Sequence, residues 1–182
     1  MDTNTSSTET YNLILKKTYR LFISALGAGI GLGSVLWFLD PPSAPILLAS
    51  FGGSAIFLFG IPITPAAQPR AYFGGHVIGI ACGVICFYLF GNLLWVYVVS
   101  FMMAFLLMLV TKTVHPPAGA NPLIVLHANA QFSVIWPPIL MGLLILFAIA
   151  VIWSRVIPKR IHYPSNWTEK SPPTIAWSGW LE

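Results

Sequence analysis

The chain has 182 residues, the length of a single domain, and only nine Lys or Arg and five Asp or Glu. Charged residues are 8% of it, against roughly 25% in a soluble domain, while 57% is apolar and the mean hydropathy is +0.80. Between Leu21 and Ser154 the only charges are Asp40, Arg70 and Lys112, which excludes a soluble enzyme, a nucleic-acid binder and a disordered chain, and leaves an integral membrane protein with polar ends.

Residues 1–19 read as a cytoplasmic tail. They are rich in Ser and Thr and hold Asp2 and Glu9. They have neither the Arg-rich character of a transit peptide nor the apolar core of a cleaved signal, so the first apolar segment is expected to be retained. Lys16, Lys17 and Arg20 flank that segment as anchors facing anionic lipid. Six apolar segments follow, over 21–39, 44–61, 71–90, 93–113, 118–132 and 137–154. A span needs about 20 residues. The second segment is marginal, and the fifth is short and broken by Pro122. The segments amount either to four spans with two re-entrant pieces or to six crossings. Six crossings put Arg70, Lys112 and the Arg155–Arg160 cluster on the side of the N-terminal cluster and Asp40 on the other; four put Arg70 and Lys112 outside. The positive-inside rule favours six, with both termini cytoplasmic. The expected fold is an all-α polytopic membrane protein whose segments 2 and 5 are short or broken. Its membrane domain covers 20–157. The tail over 158–182, with Trp167, Trp177 and Trp180, reads as interfacial or packing.

The chain resembles itself at a shift of 75 residues: Pro41, Pro42, Leu48, Ala55, Phe57 and Pro62 recur as Pro116, Pro117, Leu123, Ala130, Phe132 and Pro137. Two triplets over about 20–90 and 93–154 follow, each with three crossings. An odd number of crossings inverts one triplet relative to the other, giving a 3+3 inverted repeat. Paired short, Pro- and Gly-interrupted segments are then the pointer to a transporter's site. Gly27, Gly29, Gly31 and Gly33, and Gly75, Gly79 and Gly83, form small-residue stripes for close helix packing. Cys82 and Cys86 share one helix face and read as small packing residues; no metal site or cofactor is expected.

Polar groups at membrane depth are costly and point to function. Arg70 follows Gln68 and Pro69 at the junction of segments 2 and 3. It reads either as an interfacial anchor or as a permanent cation for an anionic solute, with Gln68 adding donors. His76 reads as a packed ring or as a partner of Arg70 able to carry a proton. The stretch His115-Pro116-Pro117-Ala118-Gly119-Ala120-Asn121-Pro122 breaks the chain and opens a new helix. Its free N–H groups, uncovered at Gly119, would cradle an anion between His115 and Asn121. Ser50, Gly52, Gly53 and Ser54 form the matching patch of segment 2.

At these residues the chain resembles the HPP family of small membrane proteins. The resemblance rests on Phe51-Gly52-Gly53-Ser54-Ala55, Ala67-Gln68-Pro69-Arg70, Gly74-Gly75-His76 and His115-Pro116-Pro117-Ala118-Gly119-Ala120, in family order over roughly residues 15 to 157. Cyanobacterial and plastid members look like nitrite transporters, and the family is often described with four spans. The resemblance implies a cell-membrane transporter of a small monovalent anion, nitrite first. The expected solute contacts are Arg70, Gln68, His76, His115, Gly119, Asn121 and Ser54. The expected partners are that anion, membrane lipid and a second copy of the chain. The alternatives are a transporter or channel for another small solute, and a non-transporting structural or regulatory subunit. An enzyme is not expected, because no Asp or Glu lies between Asp40 and Glu169 to act as base.

Overall fold

No proline or glycine interrupts the sequence from Thr3 to Leu26, and helix α1 (Thr3–Leu39) begins far before the apolar segment does. The stretch read as a tail is therefore largely helical: good helix formers such as Glu9, Leu13, Leu15 and Lys16 propagate the helix outward. The computed structural model describes residues 3–39 and 47–174. Asp40, Pro41, Pro42, Trp177 and Trp180 lie outside the described residues, as do the side chains of 3–8, 47–48, 132–134 and 136.

Every described element but one isolated bridge is helical. Helix α2 (Leu47–Ala55) runs on into a π-helical turn, Ile56–Gly60. A 3₁₀ turn at Pro65–Ala67 leads into α3 (Pro69–Phe90), which Gly91 closes with φ 76°. Helix α4 (Leu94–Thr111) ends on Lys112, whose φ of 55° turns the chain away. A second 3₁₀ turn, Pro116–Ala120, continues into the short α5 (Asn121–His127). Helix α6 (Phe132–Val156) starts one turn earlier than the sequence indicates and contains Pro137 and Pro138.

Four helices are long and apolar enough to cross a membrane: Glu9–Leu39, Pro69–Phe90, Leu94–Thr111 and Pro137–Val156. Segments 2 and 5 are the short pieces, as the sequence indicates: Ala49–Gly60 is a shorter apolar helix, and α5 has 7 residues.

Contacts at the helix ends fix the arrangement. The chain beyond α6 straps one end of the bundle. Tyr163 Oη donates to Ala67 O at 2.7 Å, Ser165 and Asn166 N–H donate to Gln68 Oε1, and Ser171 exchanges backbone bonds with Lys112 and Val114. Burial pushes the Tyr163 phenol up, so it stays a donor. Arg155 donates to Tyr163 O at this same end. At the other end Asn92, between α3 and α4, donates to Leu126 O at 3.0 Å and to Asn129 Oδ1 at 2.8 Å. So the chain from Thr113 to Asn129 reaches from the strapped end to the α3–α4 turn.

Lipid supplies no hydrophobic drive between helices, so close backbone approach holds them together. Gly75, Gly79 and Gly83 press α3 onto the Pro116–Ala120 turn and α5. A Cβ on Gly79 would lie 2.6 Å from Ala118 O, and one on Gly83 3.0 Å from the Pro122 backbone. On α1 only alternate glycines pack, Gly27 on Trp153 and Gly31 on Phe59 and Leu146, while Gly29 and Gly33 meet nothing within 4 Å. Thermal unfolding in detergent checks this division. Gly83→Ala is expected to destabilise by about 1–3 kcal/mol, because backbone cannot move aside as a side-chain end can. Gly33→Ala is expected to leave the transition unchanged.

Candidate functional site

Where the Pro116–Ala120 turn lies against α2 and α3, five polar side chains are buried together, none more than 3% exposed. Ser50 and Ser54 come from one face of α2, four residues apart, and His76 from the second turn of α3. His115 precedes the turn and Asn121 opens α5. Gly53 admits them, since its missing side chain leaves Pro117 only 3.0 Å from where a Cβ would stand.

The five form one continuous chain. His115 Nδ1 lies 2.6 Å from Ala66 O, which accepts only, so Nδ1 carries the proton and Nε2 is the acceptor. Ser54 Oγ lies 2.9 Å from His115 Nε2 and donates to it, which leaves Oγ to accept from His76 Nε2 at 3.1 Å. His76 Nδ1 then accepts from Asn121 Nδ2 at 2.8 Å, whose second proton goes to His76 O at 3.2 Å. Asn121 Oδ1 accepts from Ser50 Oγ at 2.9 Å, with Pro117 O at 3.1 Å sharing that hydroxyl. Every bond points the same way, and each imidazole needs one proton. A second proton on His76 would face the Asn121 amide donor to donor. Aromatic rings enclose the pair: Tyr72 stands edge-on to His76 at 5.3 Å and to His115 at 5.4 Å, and Phe57 lies 5.4 Å from His115.

The structure brings together four of the seven residues singled out in the sequence, Ser54, His76, His115 and Asn121, and adds Ser50. Arg70 stands apart, exposed, donating to Thr111 O at 2.8 Å and to Lys112 O at 3.5 Å, where it caps the last carbonyls of α4. His76 bonds Ser54 and Asn121 instead. Gln68 is fully buried, and its amide is committed to Pro62 O and Thr64 O and to the strap. Gly119 faces α4, with Phe101 at 3.4 Å from a built Cβ. In the expected cradle of free amides, Pro116 and Pro117 have no N–H, and Ala118 N donates to His115 O at 2.9 Å.

Tyr72 is the residue that the sequence reading passed over. Its ring lines both histidines and its hydroxyl donates to Leu143 O at 3.1 Å, tying the cluster to α6. Its spacing of four residues from His76, one helical turn, was the available signal.

The family described as "HPP, transmembrane region" matches residues 15–164, and the chain belongs to that family. Two curated proteins of Dictyostelium discoideum, each named only as a transmembrane protein, are 35% identical over 130 residues and 33% identical over 129. These alignments cover 67% and 66% of this chain but only 45% and 41% of the relatives, so the chain spans less than half the length of the curated relatives it matches. No solved structure matches it.

Nitrogen NMR of histidine-labelled protein in detergent reads the tautomers directly. His115 is expected as the Nδ1–H form and His76 as the Nε2–H form. Ser54→Ala removes the hydroxyl between them and is expected to cost about 1–3 kcal/mol in thermal unfolding, because two buried ring nitrogens lose their partner.

Proposed function

We propose that this HPP-family protein is a transporter of a small monovalent anion, with nitrite the leading solute, and that the buried Ser–His–Asn chain is where the solute is handled. The observation that carries this reading is the burial of five polar side chains in one place, drawn from both halves of the sequence. Polar groups at membrane depth are expensive and default to function. A packing joint alone is served as well by apolar residues.

In this reading the chain crosses the membrane six times as a 3+3 inverted repeat. Each half has the order long, short, long: α1, α2 with its π turn, α3; then α4, the Pro116–His127 piece, α6. Support comes from the helix-end contacts. Arg70, Lys112 and Arg155 sit at the strapped end with Lys16, Arg20, Lys159 and Arg160. The positive-inside rule makes that end cytoplasmic. The two short pieces meet at Gly53 and Pro117, as discontinuous segments do at a transporter's site.

The solute would replace internal bonds. When the halves part, the Asn121 amide and the serine hydroxyls become donors for an anion. Both histidines gain an unpaired ring nitrogen that can take up a proton with it. Side chains carry recognition here, because the prolines deprive the turn of its first amides. Arg70, outside the cluster, attracts anions to the cytoplasmic mouth. No catalytic step is assigned, since the span sequence lacks a carboxylate base.

The complete pairing of the cluster favours a second reading, a non-transporting membrane subunit whose polar chain only locks the fold. Proteoliposome uptake separates the two. The transporter reading expects saturable nitrite entry that exceeds chloride entry. It expects entry to fall to background in His115→Ala and in His76→Ala while both variants still insert, and a slowing in Arg70→Gln that is largest at low ionic strength. Folded wild-type protein that moves no anion would leave the subunit reading.

A further inference from the structure

At the strapped end, away from the histidine chain, α1, the end of the π turn and the chain after α6 border a half-open cavity of about 660 Å³. Four cations line it: Lys16 and Arg20, one turn apart on α1, and Lys159 and Arg160 beyond α6. No Asp or Glu is among its described lining residues. Ile23 and Ile161 supply apolar wall.

The cavity is built rather than incidental. Arg160 donates through Nη1 to Ser24 Oγ at 3.2 Å and through Nη2 to the Phe59 carbonyl, so one guanidinium joins all three elements. Its remaining N–H groups stay available, since it has five in all. Lys159 is held at φ 59°, a left-handed turn, and it and Arg160 both line the cavity. Like charges one helical turn apart, as at Lys16 and Arg20, destabilise a helix. Four cations around one hollow, with no acid among its described lining residues, make a favourable place for an anion. Beside the cavity α1 exposes Leu21 and Phe22, and α6 exposes Val156, so its rim adjoins the lipid-facing surface.

We propose that this cavity binds a phosphate-bearing anion, and that the phosphate is that of an anionic membrane lipid: the cations take the headgroup and the apolar wall takes the first acyl carbons. Basic pockets between spans at the cytoplasmic level recognise headgroups in this way. The site is separate from the histidine chain and does not depend on what that chain does.

Full-length protein in a neutral detergent tests it through its melting temperature. The three additions are phosphatidic acid, phosphatidylcholine and inorganic phosphate. A saturable rise with phosphatidic acid and none with phosphatidylcholine is expected. The double variant Lys16→Gln/Arg20→Gln changes only exposed α1 side chains and keeps the Arg160 ties; it is expected to weaken that binding at least tenfold. Lys170→Gln, a basic residue outside the cavity, is expected to bind normally. An equal rise with inorganic phosphate that the same double variant loses would support the site and assign it to a soluble phosphate. No rise with either anion, an equal rise with phosphatidylcholine, or undiminished binding by the double variant would overturn the proposal.

Discussion

A chain of buried hydrogen bonds joins the two halves of this molecule, with the Ser54 hydroxyl between its two histidines. Ser54 Oγ donates to His115 and accepts from His76, the two roles a hydroxyl fills at once. In hydrocarbon no water stands by to satisfy an abandoned polar group, so each partner must be found inside the protein. That requirement spreads outward. His115 needs the Ala66 carbonyl, which fixes the loop before α3; His76 needs the Asn121 amide, which fixes the start of α5. Asn121 in turn needs Ser50 on α2. Five side chains thereby set the mutual positions of α2, α3 and the Pro116–His127 piece.

The apolar structure is arranged so that these groups can meet. The glycines of α3 let the Pro116–Ala120 turn and α5 lie against its backbone, and Gly53 does the same for α2 against Pro117. Tyr72 closes one side with its ring and hands its hydroxyl proton to α6. The strap after α6 ties Gln68, Ala67 and Lys112 at one end, while Asn92 gathers the other. Packing and polar satisfaction point to one arrangement, and that agreement is what specifies a single fold.

The sequence was most legible where chemistry is local. Apolar run lengths located the long helices, and the proline pair located the break before α5. Small-residue spacing identified the α3 stripe. On α1 the same spacing misled at Gly29 and Gly33, because a stripe shows that approach is possible without showing which neighbour uses it. The site was half legible. Buried polar residues in Pro- and Gly-rich segments singled out Ser54, His76, His115 and Asn121. Arg70 carries a stronger donor and Gln68 the same carboxamide as Asn121, but Arg70 bonds carbonyls and Gln68 reaches the strap, contacts more than forty residues away in sequence for Arg70 and about a hundred for Gln68. For the free-amide cradle one local fact was visible: prolines that open a helix also remove N–H groups an anion would use.

For transport through the histidine chain, the Ser54 hydroxyl must be buried at rest and reached by water when solute passes. The most direct measurement places a thiol there, as Ser54→Cys with Cys82 and Cys86 replaced by Ala, in proteoliposomes that still take up nitrite. Labelling by a membrane-impermeant maleimide is followed with and without nitrite. Slow labelling is expected in the resting protein and faster labelling while nitrite is transported. Uptake that proceeds while the thiol stays unlabelled under every condition would contradict it, and would move the solute path away from the histidine chain.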